Sequence, residues 1–382
     1  MSTVLIYRDQ LLPYSETFIP AQGESLSRYR AIYVGTSRLI QHPDREKMIV
    51  LGEHSFFNRL WKGGYKLIGM APFHWTHVLR QHTPVLVHAH FGSDGGLVFP
   101  LCQQLKIPLM VTFHGYDATW DTPAWTTVRT RGDVFLAILL RKRDQALAVA
   151  DRIVAVSQFI RDQLLLRGGA ADRIVVHYIG IDRQQFQPRV DEVREPVVLF
   201  VGRLVEKKGG EYLVRAMAAV QRQLPLTRLV VIGNGALRSH LQTLSDRLSV
   251  RAQFLGKQPP EQVRHWMNRA QVFCGPSIIA RSGDAEGFGM GFAEAQAMGL
   301  PVASFATGGI PEAVIHGETG LLAPEKHTEQ LAKNLIRLLA DEELRQRFAR
   351  AGQAHVAAKF DLKKNTRQLE TLYDEVVDNH RG

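Results

Sequence analysis

Short apolar segments that end in glycine recur along the second half of the chain, and no other feature restricts the fold as strongly. Val197–Val201 is apolar without alternation, which is typical of a parallel strand covered on both faces, and Gly202 follows it. Further strands of this kind are predicted at Arg228–Ile232, Ala252–Leu255, Gln271–Cys274, Pro301–Phe305 and Glu318–Leu322. Segments with helical character separate them, and this alternation indicates βαβ units in a parallel sheet.

The first half of the chain repeats the plan. Its predicted strands are Thr3–Tyr7, Val85–Ala89, Pro108–Phe113, Ile153–Val156 and Val175–Ile179. With 382 residues, 45% of them hydrophobic, the chain can hold two domains, each with its own core. The polar stretch 187–196 predicts the boundary, which gives domains at 1–188 and 189–360. In the remaining segment, 361–382, apolar positions near helical spacing predict a final helix.

Two glutamates eight positions apart, Glu286 and Glu294, flank a glycine-rich loop. The run Phe292–Met298 predicts a helix after the loop, stopped by Gly299. A helix start behind such a loop offers unpaired N–H groups and a positive dipole end to a diphosphate. Carboxylates would repel the phosphates but suit the hydroxyls of a sugar and a ribose, so the stretch predicts a site for a nucleotide sugar. Within it, the donor-binding candidates are Phe288, Gly289 and Met290.

A basic loop follows the strand Val197–Val201. Gly202 lets the chain turn, and Arg203 and Lys208 bring positive charge to the carboxyl end of the strand, where open α/β sheets bind ligands. Lys207 is a neighbour that could substitute, so Lys208 is preferred by spacing only. Together with the two glutamates, this loop predicts binding of the donor diphosphate.

These motifs resemble the E-x7-E and G-R-x4-K-G signatures of the retaining glycosyltransferases of family 4. The resemblance implies the α/β GT-B fold, in which two Rossmann-like, doubly wound parallel-sheet domains face each other across a cleft and the last helix crosses back to the N-terminal domain. It also implies that Glu286 contacts the transferred sugar, that Glu294 contacts the donor ribose, and that Arg203 and Lys208 bind the diphosphate in place of a metal. Three further donor-side positions follow from it: Gly233, Gly235 and Lys257.

The resemblance extends to strand ends of the first half. The sequence Ser15-Glu16-Thr17-Phe18 is similar to the "SETF" loop of bacterial polysaccharide glycosyltransferases, including those that build colanic acid, and makes Ser15 and Glu16 acceptor-side candidates. His114 matches a family histidine that contacts the transferred sugar. His90 and Asp117 occupy similar positions and complete the acceptor-side candidates.

The predicted function is therefore a retaining hexosyltransferase that moves a sugar from a UDP- or GDP-sugar to a glycan or polyprenyl-linked acceptor in bacterial surface polysaccharide or exopolysaccharide biosynthesis. No D-x-D pair occurs in the sequence, and we expect neither a metal nor another cofactor. A GT-B-fold sugar-nucleotide epimerase and a catalytically silent nucleotide-sugar-binding partner subunit are the alternatives. The basic composition also fits nucleic-acid binding, but no reader motif is present, so we expect no nucleic-acid partner.

The formal net charge is +10, and the cationic excess is concentrated in the first half. There the stretch Phe56–Trp75 interleaves aromatic and basic residues, which predicts peripheral contact with an anionic inner membrane; a helix packed in its domain, with cations reaching to solvent, is the alternative. Cys102 and Cys274 lie in separate predicted domains, so no disulfide is expected. Together with the absence of a signal segment, this predicts a cytoplasmic location.

Overall fold

A computed structural model describes residues 1–11, 16–38, 47–51, 64–66, 72–121, 131–189 and 192–382. Within these residues the chain forms two compact units. The first comprises Met1–Gly180 together with Leu362–Gly382, and the second comprises Ile181–Asp361. Among the described helices, none combines the length and apolarity that crossing a bilayer requires.

The first unit contains a seven-stranded sheet in which every neighbouring pair is parallel. Its strand order is β5-β3-β1-β6-β7-β8-β9, and β2 and β4 form a separate two-stranded ladder. The strands are β1 (Ser2–Tyr7), β2 (Gln10–Leu11), β3 (Tyr29–Gly35), β4 (Ser37–Arg38), β5 (Met48–Val50), β6 (Pro84–His90), β7 (Leu109–Phe113), β8 (Arg152–Ala155) and β9 (Ile174–Val176).

Helices connect these strands, as parallel neighbours require. They are α1 (Phe18–Glu24), α2 (Phe73–Arg80), α3 (Gly92–Leu105), α4 (Tyr116–Thr119), α5 (Arg131–Val149) and α6 (Gln158–Leu166). Helix α1 begins after Thr17, whose side chain makes no capping hydrogen bond, so Glu16 precedes the helix and lies outside its first turn.

The second unit contains a six-stranded parallel sheet in the order β12-β11-β10-β13-β14-β15. Its strands are β10 (Glu195–Val201), β11 (Arg228–Ile232), β12 (Ala252–Gly256), β13 (Ala270–Cys274), β14 (Val302–Phe305) and β15 (Gly320–Ala323). Its helices are α7 (Gly210–Gln223), α8 (Arg238–Arg247), α9 (Pro260–Arg269), α10 (Met290–Ala297), α11 (Ile310–Ala313), α12 (Thr328–Ala340) and α13 (Glu342–Lys359). The two sheets confirm the predicted pair of doubly wound α/β domains.

The last helix, α14 (Leu362–Arg381), belongs to the first unit. Leu369 and Tyr373 on this helix pack in the same core cluster as Val4 and Ile6 of β1. On the same helix the side chain of Glu370 is buried, and its carboxylate accepts hydrogen bonds from the backbone N–H groups of Ser27 and Arg28, both at 2.6 Å. Apolar packing and charge-assisted hydrogen bonds therefore both hold α14 against the first unit.

The division between the units falls at Gly180–Ile181, earlier in the chain than the polar stretch 187–196 indicated. Ile181 forms a bridge with Asp361, and its N–H donates to the carbonyl oxygen of Phe360 at 2.7 Å. Phe186 lies beneath the Arg264 guanidinium of α9, 6.0 Å from its ring centroid. Residues 181–188 thus pack with the second unit, although the predicted boundary at 188/189 placed them in the first domain.

Candidate active site

The strand order of the second sheet places a topological switch point between β10 and β13. Strands β11 and β12 lie on one side of β10, whereas β13, β14 and β15 continue on the other. Chain connections leave these two neighbours in opposite directions, and ligands of open α/β sheets bind in the crevice this creates at the carboxyl ends of the strands. The segments that follow β10 and β13 are the basic loop and the glycine-rich loop identified in the sequence.

The basic loop after β10 passes very close to the segment after β13. Arg203 is exposed, and residues Glu206–Lys208 form a single 3-10 turn that ends at Gly209. Gly209 has φ +64°, and a Cβ there would lie 1.8 Å from the carbonyl oxygen of Pro276. Only glycine allows this approach, which brings Lys208 beside the glycine-rich loop.

Lys208 and Glu286, assigned separately from the sequence, are in direct contact. The Nζ atom of Lys208 donates to Oε2 of Glu286 at 2.5 Å, and the Ser277 hydroxyl lies 3.4 Å from the same oxygen. Burial raises the pKa of the Glu286 carboxyl, but the charges of Lys208 and Lys207 outweigh burial and lower that pKa to about 2. Glu286 is therefore an ionised, hydrogen-bonded carboxylate at neutral pH.

Lys207, the neighbour of Lys208, forms a buried ion pair with a different carboxylate. It is buried, and its Nζ atom donates to Oδ1 of Asp284 at 2.9 Å. Its carbonyl oxygen accepts the N–H of Ile278 at 2.8 Å. Lys207 thus ties the two loops together, while the side chain of Lys208 keeps 23% exposure. Of the two lysines, Lys208 is therefore the one whose side chain reaches the surface, and the preference for it as a ligand contact stays a prediction.

Helix α10 starts at Met290, two residues before the predicted start. Its N-cap is Gly289, with φ +85° and no side-chain capping hydrogen bond. The first N–H groups of such a helix are available to an anion. The ring of Phe288 is buried and packs against Phe360, with ring centroids 4.8 Å apart, so Phe288 supports the glycine-rich loop by packing. Met290 is half-buried.

Glu294 lies on α10 in a poorly solvated environment. Burial raises the pKa of its carboxyl to about 7, and the positive charge of Arg264 opposes the shift only in part. Within the described part of the chain, no hydrogen-bond donor reaches this carboxylate. A ligand with neighbouring hydroxyl groups would supply the missing donors, as the ribose role expected for Glu294 requires.

Of the three candidate glycines at strand ends, Gly233 and Gly235 are required by backbone packing, whereas Gly202 is not. A Cβ on Gly233 would lie 1.9 Å from the carbonyl oxygen of Gly202, and one on Gly235 would lie 2.4 Å from that of Leu204, so close backbone packing already explains both. A Cβ on Gly202 would meet the side chains of Phe200 and Lys208 only at 3.5 and 3.7 Å. Protein packing therefore does not require a glycine at position 202, and there is space next to its Cα, beside Lys208. The remaining candidate, Lys257, is an exposed residue after β12.

Replacing Gly202 by alanine tests whether that room serves a ligand. We expect Gly202→Ala to leave the melting temperature within about 2 °C of the wild type, because its methyl group meets only ordinary van der Waals contacts. We expect the Kd of the nucleotide to rise about tenfold, because the methyl group fills space beside Lys208. Calorimetric titration with nucleoside diphosphates measures the Kd. An unchanged Kd in a folded variant would show that no ligand approaches Gly202.

Two polar residues of the second unit join the candidates through their burial. Ser277 is 1% exposed and its hydroxyl lies near Glu286, as described above. Thr307 is buried, and its hydroxyl has no hydrogen-bond partner among the described residues. It precedes Gly308, whose added Cβ would lie 2.4 Å from the carbonyl oxygen of Glu286. Their sequence signal is weak, since a polar residue after a strand is common.

The acceptor-side candidates of the first unit lie at the ends of β6 and β7. Nδ1 of His90 and Nε2 of His114 are 3.1 Å apart, and His90 also packs on His88, with ring centroids 4.5 Å apart. We call His88, His90 and His114 the histidine cluster. Asp117 is fully buried, and its carboxylate accepts the N–H groups of Gly92, His114 and Gly115 at 2.8–3.0 Å. Asp117 therefore stabilises the backbone conformation of the loop that carries His114.

Glu16 belongs to an ion-pair network at the switch point of the first sheet, between β1 and β6. Its carboxylate accepts two hydrogen bonds from the Arg8 guanidinium, at 2.8 and 2.9 Å. Arg8 also donates to Asp94 at 2.8 Å, and its guanidinium lies 4.4 Å from the Phe91 ring centroid. Glu16 thus holds the segment before α1 against β1. Ser15 lies outside the described residues.

Comparison with protein families and curated proteins gives matches along nearly the whole chain. Residues 182–355 match the model for glycosyl transferases group 1, and residues 31–185 match the model for glycosyltransferase family 4. The amylovoran biosynthesis glycosyltransferase AmsK of Erwinia amylovora is 30% identical over 297 residues, which cover 75% of this chain and 69% of AmsK. These matches agree with the resemblance that the glutamate and basic-loop motifs indicate.

Solved structures share the fold at lower identity. Sucrose-phosphate synthase from Thermosynechococcus elongatus has a TM-score of 0.78 at 22% identity, covering 99% of this chain and all of that one. HepE of Anabaena, solved in complex with UDP and glucose, has a TM-score of 0.76 at 19% identity, with 98% and 100% coverage. These similarities confirm the GT-B fold.

Proposed function

Since the chain belongs to glycosyltransferase family 4, we propose that it is a retaining hexosyltransferase whose donor is a UDP- or GDP-sugar. The contact between Lys208 and Glu286 at the switch point of the second sheet carries this proposal. A lysine suited to phosphate and a carboxylate suited to sugar hydroxyls adjoin an uncapped helix start. A diphosphate sugar presents phosphate and hydroxyl groups to such a site within one molecule.

Donor binding would divide the existing ion pair. The diphosphate takes Lys208 and the exposed Arg203, together with the N–H groups at the start of α10. Glu286, relieved of its partner, accepts hydrogen bonds from sugar hydroxyls, and Glu294 accepts those of the ribose. Because these cations neutralise the diphosphate, the reaction we propose needs no metal ion.

In the reaction, the acceptor hydroxyl attacks the anomeric carbon while the bond from this carbon to the diphosphate oxygen breaks. The bonding electron pair leaves with the nucleoside diphosphate, which departs from the face that the acceptor approaches, so the configuration is retained. A phosphate oxygen of the leaving group takes the acceptor proton. Lys208, Arg203 and the start of α10 stabilise the charge that develops on the diphosphate. We assign His114 of the first unit a contact with the transferred sugar.

We propose a glycan or polyprenyl-linked acceptor in bacterial surface polysaccharide or exopolysaccharide biosynthesis. The name of AmsK, a glycosyltransferase of amylovoran biosynthesis, supports this class of pathway.

The proposal is tested by incubating the protein with UDP- and GDP-hexoses in EDTA, with and without polyprenyl-diphosphate-linked oligosaccharides. We expect transfer only when an acceptor is present, and NMR of the product should show the anomeric configuration of the donor sugar. An isomerised nucleotide sugar formed from the donor alone would favour the epimerase. An inverted linkage would contradict the retaining mechanism, and strict dependence on a divalent ion would contradict metal independence.

The raised pKa of Glu294 gives a separate prediction about nucleotide binding. Ribose hydroxyls donate to the ionised carboxylate and so lower its pKa from about 7. A pKa near 7 leaves part of the Glu294 side chains protonated at neutral pH before binding, and this fraction falls when nucleotide binds. We expect proton release in calorimetry with UDP or GDP in buffers of different ionisation enthalpy. The Glu294→Gln variant should release fewer protons than the wild type, because only the terminal phosphate of the nucleotide then contributes; equal release by both proteins would place the ribose elsewhere.

We also propose that the first unit contacts anionic membranes from the cytoplasmic side. The described part of the stretch Phe56–Trp75 includes the start of α2, where the Phe73 side chain is 76% exposed; residues 56–63 and 67–71 lie outside the described residues. Val78 and Arg80 are exposed on the same helix. Such a face suits headgroup depth.

In flotation assays we expect binding to vesicles that contain anionic lipid and weak binding to neutral vesicles. Phe73→Asp should reduce the bound fraction about threefold, because it removes a ring that would enter the lipid headgroup region and adds a negative charge that anionic lipid repels. Leu226→Asp is the control, since Leu226 is a similarly exposed apolar residue of the second unit. Equal binding of Phe73→Asp and wild type would show that α2 does not contact the membrane.

A further inference from the structure

The structure assigns His90 a function through His114. We infer that His90 is a positioning residue whose Nδ1–H donates to Nε2 of His114 and thereby holds the His114 ring in one orientation and one tautomer, with its own proton on Nδ1. The inference concerns a neighbour of the proposed sugar-contacting residue, and its catalytic consequence rests on the proposed function. Its structural content can be measured without any reaction.

His90 and His114 lie side by side at the ends of neighbouring strands. His90 ends β6, and His114 follows β7, the adjacent strand. Their facing nitrogens, Nδ1 of His90 and Nε2 of His114, are 3.1 Å apart, which is hydrogen-bonding distance. The rings of Phe18 and Phe91 also pack on His114, with centroid distances of 4.9 and 4.6 Å. Apolar contacts thus confine the His114 ring, while the bond to His90 is the polar contact that can select its tautomer.

The number of protons on the two rings limits the possible tautomers. Burial, followed by the charges of neighbouring groups that include His88 and Arg8, lowers the pKa of both His90 and His114 well below the usual value, so both rings are neutral. A neutral imidazole carries one proton. One proton occupies the bond between the rings, and the ring that donates it has a bare outer nitrogen. Therefore one of the two outer nitrogens, Nε2 of His90 or Nδ1 of His114, carries a proton and the other does not.

The surroundings of the two outer nitrogens decide which of them carries the proton. Both outer nitrogens are buried, and neither has a hydrogen-bond partner in the described parts of the chain. A buried N–H without an acceptor is more costly than a bare nitrogen, so the proton is favoured where a ligand can accept it. His90 is 1% exposed, whereas His114 is half-buried. Although Nδ1 of His114 is itself buried, its ring is the one of the two that a ligand can approach, so we place the proton on this atom, where a sugar oxygen would accept it.

His88 cannot take over this function. Its Nδ1 is 2.7 Å from the Tyr373 hydroxyl and its Nε2 is 2.6 Å from the Thr112 hydroxyl, so both of its nitrogens are occupied. It supports His90 by ring packing only. The hydrogen bond that orients His114 within the histidine cluster thus comes from His90.

The matched variants are His90→Asn and His90→Gln. An asparagine amide can place its N–H near the position of imidazole Nδ1 and keep the bond to His114. A glutamine amide reaches instead toward the Nε2 position and loses that bond. Both replacements are neutral amides, so they differ chiefly in which ring nitrogen they imitate.

The primary measurement is the ¹⁵N NMR spectrum of histidine-labelled protein, with His114 assigned by comparison with His114→Asn. We expect the Nδ1–H tautomer of His114 in the wild type and in His90→Asn, and a mixture of tautomers in His90→Gln. An Nε2–H tautomer in the wild type would overturn the inference, and this result needs no variant to fold. An unchanged Nδ1–H tautomer in folded His90→Gln would overturn it as well.

Kinetics give the second measurement. We expect His90→Gln to lower kcat about tenfold with the donor KM changed less than about twofold, and His90→Asn to recover most of kcat, because small misplacements of a reacting group cost up to about 10²-fold in rate. Equal kcat in both variants would contradict the positioning function. Full activity of His114→Ala would instead refute the sugar contact of His114 in the proposed function, while the tautomer measurement would still stand.

Discussion

Lys208→Met should lower kcat/KM for the donor by about 10²–10³-fold, because the variant loses the cation that meets the developing charge on the diphosphate. Lys208 and its partner Glu286 are part-buried, so the interaction is less screened than one at the surface. Steady-state assays with the proposed nucleotide-sugar donor and polyprenyl-linked acceptor measure the effect. Lys333→Met is the matched control, since Lys333 is an exposed lysine on helix α12 of the same unit.

The lysine substitution also leaves Glu286 without its nearest cation, so a structural cost must be separated from a catalytic one. We expect the double variant Lys208→Met with Glu286→Gln to regain thermal stability relative to Lys208→Met, because no unpaired carboxylate remains. We expect it to regain no activity. If activity returned with stability, Lys208 would act only through folding and its diphosphate contact would be refuted.

Glu286→Gln should lower kcat about 10²-fold and change the Kd of the nucleoside diphosphate little. The amide keeps the shape of the side chain but weakens its hydrogen bonds to sugar hydroxyls, whereas the nucleotide contacts remain. Single-turnover assays and nucleotide titration separate the two effects. The carboxylates of Glu206 and Glu325 lie in the same unit and are partly exposed, so Glu325→Gln serves as the control. Wild-type turnover in Glu286→Gln would remove Glu286 from the reaction.

The same variant carries a pH signature. The pKa of Glu286 is about 2 in the folded protein and is lower than its ordinary value. A lowered carboxyl pKa stabilises the fold above the unfolded pKa of about 4.3, and this stabilisation is lost as pH falls through the folded value. The difference in free energy of unfolding between wild type and Glu286→Gln should therefore be largest above about pH 5 and shrink towards pH 2. A difference independent of pH would contradict the assigned ionisation.

The sequence predicted the sheets well because buried parallel strands are continuous apolar runs. The predicted strand Val197–Val201 lies within the observed β10, and the predicted strand Arg228–Ile232 coincides with β11. Strands β3 and β5 were not predicted from the sequence. Strand β5 contains only Met48, Ile49 and Val50, and so short a run is not distinctive.

The motif spacing identified Glu286, Glu294, Arg203 and Lys208, but it could not show how these residues interact. The contact of Lys208 with Glu286 joins positions 78 apart in the sequence and depends on the close approach at Gly209. Likewise, burial and the surrounding charges set the opposite pKa shifts of Glu286 and Glu294, and neither cause is visible in a motif of nine residues. For Asp117, position alone was misleading. Its place after a strand suggested a ligand contact, whereas its carboxylate accepts hydrogen bonds from backbone N–H groups.

The inclusion of α14 in the first unit has a consequence for folding. Residues 181–361 form a contiguous unit, whereas the first unit joins residues on both sides of it, since Val4 packs with Leu369 and the N–H of Ser27 donates to Glu370. The core of the first unit therefore cannot be completed until α14 has been synthesised. Until α14 docks, the apolar surface around Val4 and Ile6 lacks part of its cover, and we expect this surface to attract chaperones in the unfinished chain.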